Sequence, residues 1–138
     1  MPQSWTLHPQ LANHTGLIGD LALSQVRVMH DANYPWLLLV PRCAGASEII
    51  DLDATERARL MTEIAEAGRA LKAVTRCDKL NVAAIGNMVP QLHVHVVARR
   101  RDDAAWPQPV WGAAPPRVYE PAALAALIDA IRRELRIG

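Results

Sequence analysis

The sequence predicts a single α+β domain in which helices lie on one face of a meandering antiparallel sheet. Apolar and polar residues alternate with period two over several short segments, which is typical of half-buried strands. One longer segment, residues 53–76, instead repeats apolar residues at three- and four-residue steps, which is typical of a helix packed on a sheet. Because the connections between the strand-like segments are short, antiparallel pairing is favoured.

The composition indicates an ordinary globular chain that binds neither nucleic acid nor membrane. Its 138 residues are 51% hydrophobic and 21% charged, with a formal net charge of +1, so there is no broad basic surface. No apolar run reaches the roughly 18 residues that a membrane helix needs. Residues 1–5 lack the features of a signal peptide, and Cys43 and Cys77 match no metal-binding spacing. We therefore expect a cytoplasmic protein with two reduced thiols.

The first part of the chain contains a predicted antiparallel hairpin. Residues 1–18 are ambiguous, with a short helical turn after Pro9 as their clearest feature. A strand is predicted from 21 to 29, with a bulge where the alternation slips at Gln25, and a second, more buried strand over residues 36–40.

The connection of this hairpin contains His30 and Asp31. Asp, Asn and Pro residues lie close together here, and turn formation alone can explain both positions. Alternatively, Asp31 presents its carboxylate to a pair of ligand hydroxyl groups, an arrangement that suits a ribose. Both interpretations stay open on the sequence.

The predicted long helix begins with a capping signal. Asp53 and Glu56 match a capping box, and the apolar stripe that follows continues to about Arg76. Gly68 lies inside this stripe, where glycine costs about 1 kcal/mol relative to alanine. We therefore expect the helix backbone to approach the sheet closely at Gly68. Met61 belongs to the same stripe and is predicted to lie in the core.

A further strand is predicted after this helix, over residues 79–85, and a turn follows at Gly86 and Asn87. Asn81 and Asn87 have two interpretations. They are edge and turn residues, or they contact a ligand, since both precede the strand that carries two histidines.

Residues 91–97 have the pattern of a strand on which Gln91, His93 and His95 share one face. Packing gives little reason to place two imidazoles in this way, and three interpretations compete. The histidines are plain surface or core residues, or they supply two ligands of a metal site. In the third interpretation, one of them is the nucleophile of a phosphoryl-transfer site.

The last part of the chain is irregular before it becomes helical. Four prolines over residues 106–116 favour a stiff extended segment. Its Trp106 and Trp111 either pack in the core or stack on a base or a partner subunit. Pro121 suits the first turn of a final helix.

Together these segments resemble the histidine triad (HIT) family. The family motif is His-φ-His-φ-His-φ-φ, and residues 91–97 resemble it with Gln91 in place of the first histidine. The segment 30–42, the long helix and the approach from 81 to 87 also resemble HIT proteins. The resemblance implies the HIT-like fold, a meandering antiparallel sheet with a long central helix and a C-terminal helix.

This resemblance covers about residues 18–101, as the core of a single HIT-like domain over residues 1–138. The Pro/Trp-rich segment and C-terminal helix, residues 102–138, resemble a bacterial subgroup of HIT proteins and match less well.

The resemblance implies a nucleotidyl hydrolase or transferase that cleaves at a nucleoside α-phosphate, in a nucleoside phosphoramidate or a dinucleoside polyphosphate. His93 is then the nucleophile that forms a nucleotidyl-histidine intermediate, and His95 hydrogen-bonds the phosphate region or the leaving-group oxygen. No metal or other cofactor is required, and the implied assembly is a homodimer. The positions that match nucleotide-binding residues of the family are His30, Asp31, Asn81 and Asn87.

Two positions depart from the family pattern. Gln91 can orient the ring of His93 by hydrogen bonding, but it cannot carry a proton at neutral pH. Met88 stands where some HIT proteins have a phosphate-contacting serine, and it offers no donor. These departures favour a second hypothesis, a nucleotide-binding module with little or no catalysis. A third hypothesis is a metal protein in which His30 or Asp31 joins the two motif histidines.

Overall fold

The computed structural model describes residues 4–138, which form a five-stranded antiparallel sheet with two long helices on one face and a short helix on the other. Residues 1–3, part of the N-terminal stretch without signal-peptide features, lie outside the described residues. The elements, in chain order, are α1 (Pro9–His14), β1 (Thr15–Asp20), β2 (Ser24–Met29), β3 (Trp36–Pro41), α2 (Ala54–Thr75), β4 (Lys79–Ala83), β5 (Val94–Arg99) and α3 (Pro121–Leu135), with a 3₁₀ turn at Ile49–Asp51.

The sheet has the strand order β1-β2-β3-β5-β4, and neighbouring strands pair antiparallel throughout. This confirms the predicted α+β class and the predicted hairpin of β2 and β3. None of the helices within residues 4–138 has the length and hydropathy that crossing a bilayer requires.

The N-terminal edge of the sheet differs from the prediction. A strand, β1, begins inside the ambiguous segment and ends at Asp20. Two of its six residues are glycines, which weakens the strand pattern in the sequence. The predicted strand from Leu21 begins only at Ser24. The predicted bulge at Gln25 is wrong, because the register shift lies on the partner strand, between Leu17 and Gly19.

The long helix confirms the prediction, with one exception. The carboxylate of Asp53 accepts from the backbone N–H of Glu56, and the Glu56 carboxylate accepts from that of Asp53, which closes the capping box. A Cβ on Gly68 would lie 3.1 Å from the Leu80 side chain on β4, so the helix does approach the sheet closely there. Met61 is 66% exposed and does not lie in the core, because it projects from the solvent side of α2.

The two faces of the sheet have different covers. The helices α2 and α3 pack on one face, against a core that includes Leu37 and Val96. The N-terminal segment and residues 105–110 cover the opposite face, against Trp36 and Leu38. Side chains alternate along a strand, so His95, which pairs with Leu38, belongs to this second face.

Candidate active site

The two motif histidines lie where β5 begins. His95 is the second residue of the strand, and His93 comes immediately before it. Both are buried, and their ring centroids are 5.0 Å apart at an interplanar angle of 69°. The prediction that these two rings share one face is confirmed, although the strand starts at Val94 rather than at Gln91.

The ring of His93 is held by the backbone. Its Nδ1 lies 2.7 Å from the carbonyl oxygen of Gln91. Because a carbonyl oxygen only accepts hydrogen bonds, Nδ1 carries the proton and donates it. The lone pair of the neutral ring is then on Nε2, which is the atom that a nucleophilic histidine needs to have free.

The ring of His95 has the opposite arrangement. The indole Nε1 of Trp36 donates to Nδ1 of His95 over 3.0 Å, so the proton of the neutral ring is on Nε2. Burial, together with the neighbouring His93, lowers the pKa of His95 to about 4. At neutral pH His95 is therefore an uncharged ring whose single N–H donor is suited to a phosphoryl oxygen.

Two tryptophans enclose His95. The ring of Trp111 meets His95 edge to face, with centroids 5.1 Å apart, and it meets Trp36 in the same way at 5.6 Å. Trp36 and His95 have centroids 5.7 Å apart. This packing excludes water from the Nδ1 side of His95 and accounts for the burial that disfavours its charged form.

A buried ion pair orders residues 99–106, at the beginning of the segment that leads to Trp111. Asp103 accepts from Nε and Nη2 of Arg99 at 2.8 and 3.1 Å, and it also accepts from three backbone N–H groups within residues 100–106. Burial raises the pKa of Asp103, but these hydrogen bonds outweigh it and lower the value to about 2. Asn81 completes the group, because its Oδ1 accepts from Nη1 of Arg99 at 2.8 Å.

The side chain of Gln91 contacts the N-terminal segment. Its Nε2 donates to the carbonyl oxygen of Thr6, and its Oε1 accepts from the backbone N–H of His8, both at 2.8 Å. His8 in turn caps α1, since its Nδ1 accepts from the backbone N–H of Gln10. The backbone carbonyl of Gln91 thus holds the ring of His93, and its side-chain amide holds the segment that leads into α1. An orienting effect of this side chain on the motif histidines stays a prediction.

Two cavities meet at His93. The larger one, about 560 Å³, lies between α1 and the loop before β5, and the smaller one, about 220 Å³, lies beside the 3₁₀ turn. Ile85, Gly86 and His93 line both cavities, while His95 lines only the larger one. The larger cavity is mostly apolar, and its further lining includes Gln10, Leu11, His14, Met29, Leu38 and Trp111.

Comparison with known families agrees with this geometry. The HIT domain model matches residues 10–102 of the chain, which include both histidines and all five strands of the sheet. The chain belongs to the HIT family. This HIT protein is similar in structure to a histidine triad protein from Bradyrhizobium japonicum, with 57% sequence identity, a TM-score of 0.95, and 96% of this chain and 99% of that chain covered.

Two further relatives of this HIT protein extend the comparison. A histidine triad protein from Marinobacter aquaeolei VT8 has 39% identity and a TM-score of 0.93, over 97% of this chain and 98% of that chain. An AP-4-A phosphorylase from Mycobacterium tuberculosis is 35% identical over 111 residues, which are 74% of this chain and 56% of that protein. This HIT chain thus spans little more than half the length of the curated relative.

The predicted nucleotide-binding residues of this HIT protein lie in different places. Asn87 lines the larger cavity, whereas His30, Asp31 and Asn81 line neither cavity. The Oδ1 of Asp31 accepts from the backbone N–H groups of Asn33 and residue 117, which ties the β2–β3 turn to the segment before α3. The side-chain oxygen of Asn81 accepts a hydrogen bond from Arg99. The structure therefore brings only Asn87 together with the motif histidines.

Metal ligands do not gather in this HIT domain as far as residues 4–138 describe it: no group of three His, Cys, Asp or Glu side chains is arranged to hold an ion. His93 and His95 come together, but His95 already uses Nδ1 to accept from Trp36. The third hypothesis, a metal site completed by His30 or Asp31, has no support in this arrangement.

Sequence reasoning missed most of the wall of the larger cavity. Gln10, Leu11 and His14 lie in the N-terminal segment, whose sequence pattern is ambiguous, and nothing local to that segment indicates that it packs on the sheet. The one available signal was the glutamine in the motif, whose amide makes two hydrogen bonds to residues 6 and 8.

Proposed function

We propose that this HIT protein is a nucleotidyl hydrolase that transfers the nucleotidyl group of a nucleoside phosphoramidate or dinucleoside polyphosphate to His93 and then to water. The hydrogen bond from Nδ1 of His93 to a backbone carbonyl carries the proposal, because it leaves Nε2 unprotonated beside the larger cavity. Membership of the HIT family and the similarity to an AP-4-A phosphorylase support a nucleotide as the substrate.

The first step forms a bond between Nε2 of His93 and the α-phosphorus and breaks the bond from phosphorus to the leaving group. The leaving group departs with the electron pair of the broken bond and takes a proton from water. The substituted ring is cationic and keeps its proton on Nδ1, where the carbonyl oxygen of Gln91 stabilises the positive charge. His95 donates from Nε2 to a phosphoryl oxygen and stabilises the transition state.

The second step regenerates the enzyme. A water oxygen bonds to phosphorus, the bond from phosphorus to Nε2 breaks, and its electron pair returns to the ring of His93. The proton of the water passes to solvent. Because the substituted ring is cationic, it leaves phosphorus as neutral imidazole, so the bond that holds the nucleotidyl group is readily cleaved.

The nucleoside occupies the larger cavity in this proposal. Met29, Leu38 and Trp111 offer the apolar and aromatic surface that a base needs, and Asn87 is within reach of its phosphate. His30, Asp31 and Asn81 remain proposed nucleotide-binding positions on the resemblance to HIT proteins. Asp31 and Asn81 reach a nucleotide only if their present hydrogen bonds are shared or exchanged.

The test is AMP release from adenosine phosphoramidate and from diadenosine tetraphosphate by wild type and by His93→Ala. We expect release by wild type and none above background by the variant, while AMP binding, measured by calorimetry, shows that the variant is folded. Equal release by the variant contradicts the proposal. Binding of AMP by wild type without release from either compound replaces it with the nucleotide-binding module, which the donor-free side chain of Met88 in the cavity favours.

We also propose a homodimer, which the resemblance to HIT proteins implies. β4 is one of the two edge strands of the sheet. Val82 on β4 is 51% exposed, and Met61 on α2 is 66% exposed. An open strand edge with exposed apolar residues is suited to pairing with a second copy. Light scattering tests this: Val82→Lys lowers the mass to that of one chain, whereas the control Val118→Lys does not. A monomeric wild type contradicts it.

We also propose that the protein is located in the cytoplasm. Cys43 and Cys77 are free thiols, as expected in a reducing compartment. Fractionation of cells that produce the protein, followed by immunoblotting, is expected to place it with cytoplasmic markers. Recovery with the membrane or exported fraction contradicts this location.

A further inference from the structure

The segment that leads into α1 is held by a side chain that pairs with its backbone as a neighbouring strand would. Nε2 of Gln91 donates to the carbonyl oxygen of Thr6, and Oε1 accepts from the backbone N–H of His8, both at 2.8 Å. These two backbone groups flank Leu7, as they would in a parallel ladder. The pairing needs a donor and an acceptor on one side chain, which a carboxamide offers and an apolar side chain does not.

The two ends of the segment 4–14 are held very differently. Its C-terminal end is buried: Thr15 is 3% exposed and Arg27 is 8% exposed. Nε of Arg27 donates to the Thr15 hydroxyl at 2.6 Å and Nη2 donates to the Thr15 carbonyl oxygen at 3.3 Å, while the hydroxyl donates to the carbonyl oxygen of Leu11. At the other end, residues 4–8 are exposed or half-buried. The segment is therefore fixed at Leu11–Thr15 and is easiest to release at its beginning.

The contacts of Gln91 extend to the wall of the larger cavity. The backbone N–H of His8 is bonded to Gln91, and Nδ1 of His8 accepts from the backbone N–H of Gln10 at 3.1 Å, which caps α1. A helix of six residues is not stable by itself in water, so its first turn depends on such contacts. Gln10 lines the larger cavity. Loss of the Gln91 amide therefore loosens one rim of that cavity.

Resting on the proposed function, we infer that residues 4–10 are a gate over the larger cavity, with the Gln91 side chain as its latch and Leu11–Thr15 as its fixed end. The nucleoside contacts Gln10 only while the latch is closed, so a bound nucleotide favours the closed state. The backbone carbonyl of the same Gln91 holds the nucleophile His93. The closed gate retains the nucleotide through both steps of the reaction, and its opening releases AMP.

Hydrogen exchange of backbone amides tests the latch. Gln91→Met keeps a neutral side chain of similar length and removes both hydrogen bonds. We expect the amides of His8 and Gln10 to exchange about tenfold faster in this variant, while the amides of β3 keep their rates. In wild type, saturating AMP is expected to slow exchange at the same two amides, because the bound nucleotide favours the closed gate.

The rate at which a nucleotide leaves tests the gate. Fluorescent etheno-AMP is bound to the protein and displaced by excess AMP in a stopped-flow instrument. We expect dissociation about fivefold faster from Gln91→Met and from Gln91→Ala than from wild type. Thr6→Ala is the matched control, because the latch uses only the backbone of Thr6 and its side chain is exposed; it keeps the wild-type rate.

The outcomes separate the gate from the proposed function. Unchanged exchange at His8 and Gln10 in Gln91→Met overturns the latch, and unchanged dissociation or no effect of bound AMP on exchange overturns the gate; the hydrolase stands in each case. A faster rate from Thr6→Ala as well attributes the effect to general loosening and also overturns the gate. If wild type binds AMP and shows the expected rates but hydrolyses neither compound, the proposed function fails and the gate stands. Absence of AMP binding overturns both.

Discussion

His93 and His95 lie two residues apart on the same face of the protein, yet their surroundings are opposite. His93 donates from Nδ1 to a backbone carbonyl and lines both cavities. His95 accepts at Nδ1 from the indole of Trp36 and is packed against Trp111. One ring is therefore left with a free lone pair, and the other with a free N–H group. The hydrogen-bond partner of Nδ1, rather than the position in the motif, therefore determines whether each histidine can act as a nucleophile or as a hydrogen-bond donor.

The largest expected effect comes from the ring with the free lone pair. His93→Ala removes the nucleophile, and we expect AMP release to fall at least about a thousandfold. Steady-state assays measure this loss, and addition of free imidazole to His93→Gly is expected to restore part of the rate. A loss of less than about tenfold would mean that His93 is not the nucleophile.

The next effect is on stability in acid and belongs to His95. Burial lowers the pKa of His95 from its ordinary value of 6.5 to about 4 in the folded chain, so only the unfolded chain takes up a proton between these values. Stability is therefore lost as the pH falls from 6.5 to 4, by about 3 kcal/mol in total.

Urea unfolding at pH 7 and pH 4.5 measures this loss in wild type and in His95→Asn. The variant retains the other titrating groups, so the difference between the two proteins isolates the contribution of His95. The same pH-dependent loss in both proteins contradicts the burial argument.

A smaller effect, on kcat, is expected when the hydrogen-bond donor to His95 is removed. Trp36→Phe removes the donor to Nδ1, so the ring proton is no longer confined to Nε2. We expect kcat to fall about tenfold, as for the loss of one hydrogen bond that fixes a catalytic group, with a smaller change in KM. Tyr34→Phe is a matched control on the same face, since the Tyr34 hydroxyl has no hydrogen-bond partner among residues 4–138. A similar fall in both variants attributes the effect to packing instead.

The smallest effect is expected at the residue that departs from the HIT motif. Gln91→Ala removes two hydrogen bonds to residues 6 and 8 but keeps the backbone carbonyl that holds His93. We expect KM to rise a few fold because the wall of the larger cavity loosens, while kcat stays within about twofold of wild type. A tenfold fall in kcat at constant KM would show that the side chain acts on His93 after all.

The sequence was sufficient for the parts of the fold that depend on local patterns. Capping residues and a helical apolar stripe predict α2 to within one residue at each end, and Gly68 predicts its close approach to β4. The alternation around His93 and His95 predicts that they share a face. In each case the information lies within a few residues of the feature that it determines.

Features that depend on distant parts of the chain were not predictable in this way. β1 contains two glycines and is recognised as a strand only through its pairing with β2. The amide of Gln91 bonds to residues more than 80 positions away. The side-chain oxygen of Asn81 accepts from Arg99, which also pairs with Asp103, and these three side chains meet only in the folded protein. No local sequence pattern predicts these contacts, although they determine which residues line the candidate site.

The two tryptophans of the Pro-rich segment are a further case in which local sequence does not predict the contacts of a side chain. The sequence left open whether they pack in the core or face a ligand, and the structure gives each a different position. Trp106 packs against the guanidinium of Arg99, with 5.5 Å from its ring centroid to that group. Trp111 lines the larger cavity and contacts His95. Composition alone cannot separate the two, because the contacts that distinguish them, with Arg99 and with His95, form only in the folded chain.

The contrast between the two rings is tested most directly by trapping the nucleotidyl intermediate. Wild type is mixed with labelled adenosine phosphoramidate, quenched within a turnover, digested and mapped by mass spectrometry under conditions that preserve bonds from phosphorus to nitrogen. We expect the adenylyl group on His93, attached at Nε2 when the peptide is examined by NMR. An adenylyl group on His95, or at Nδ1 of His93, contradicts the account.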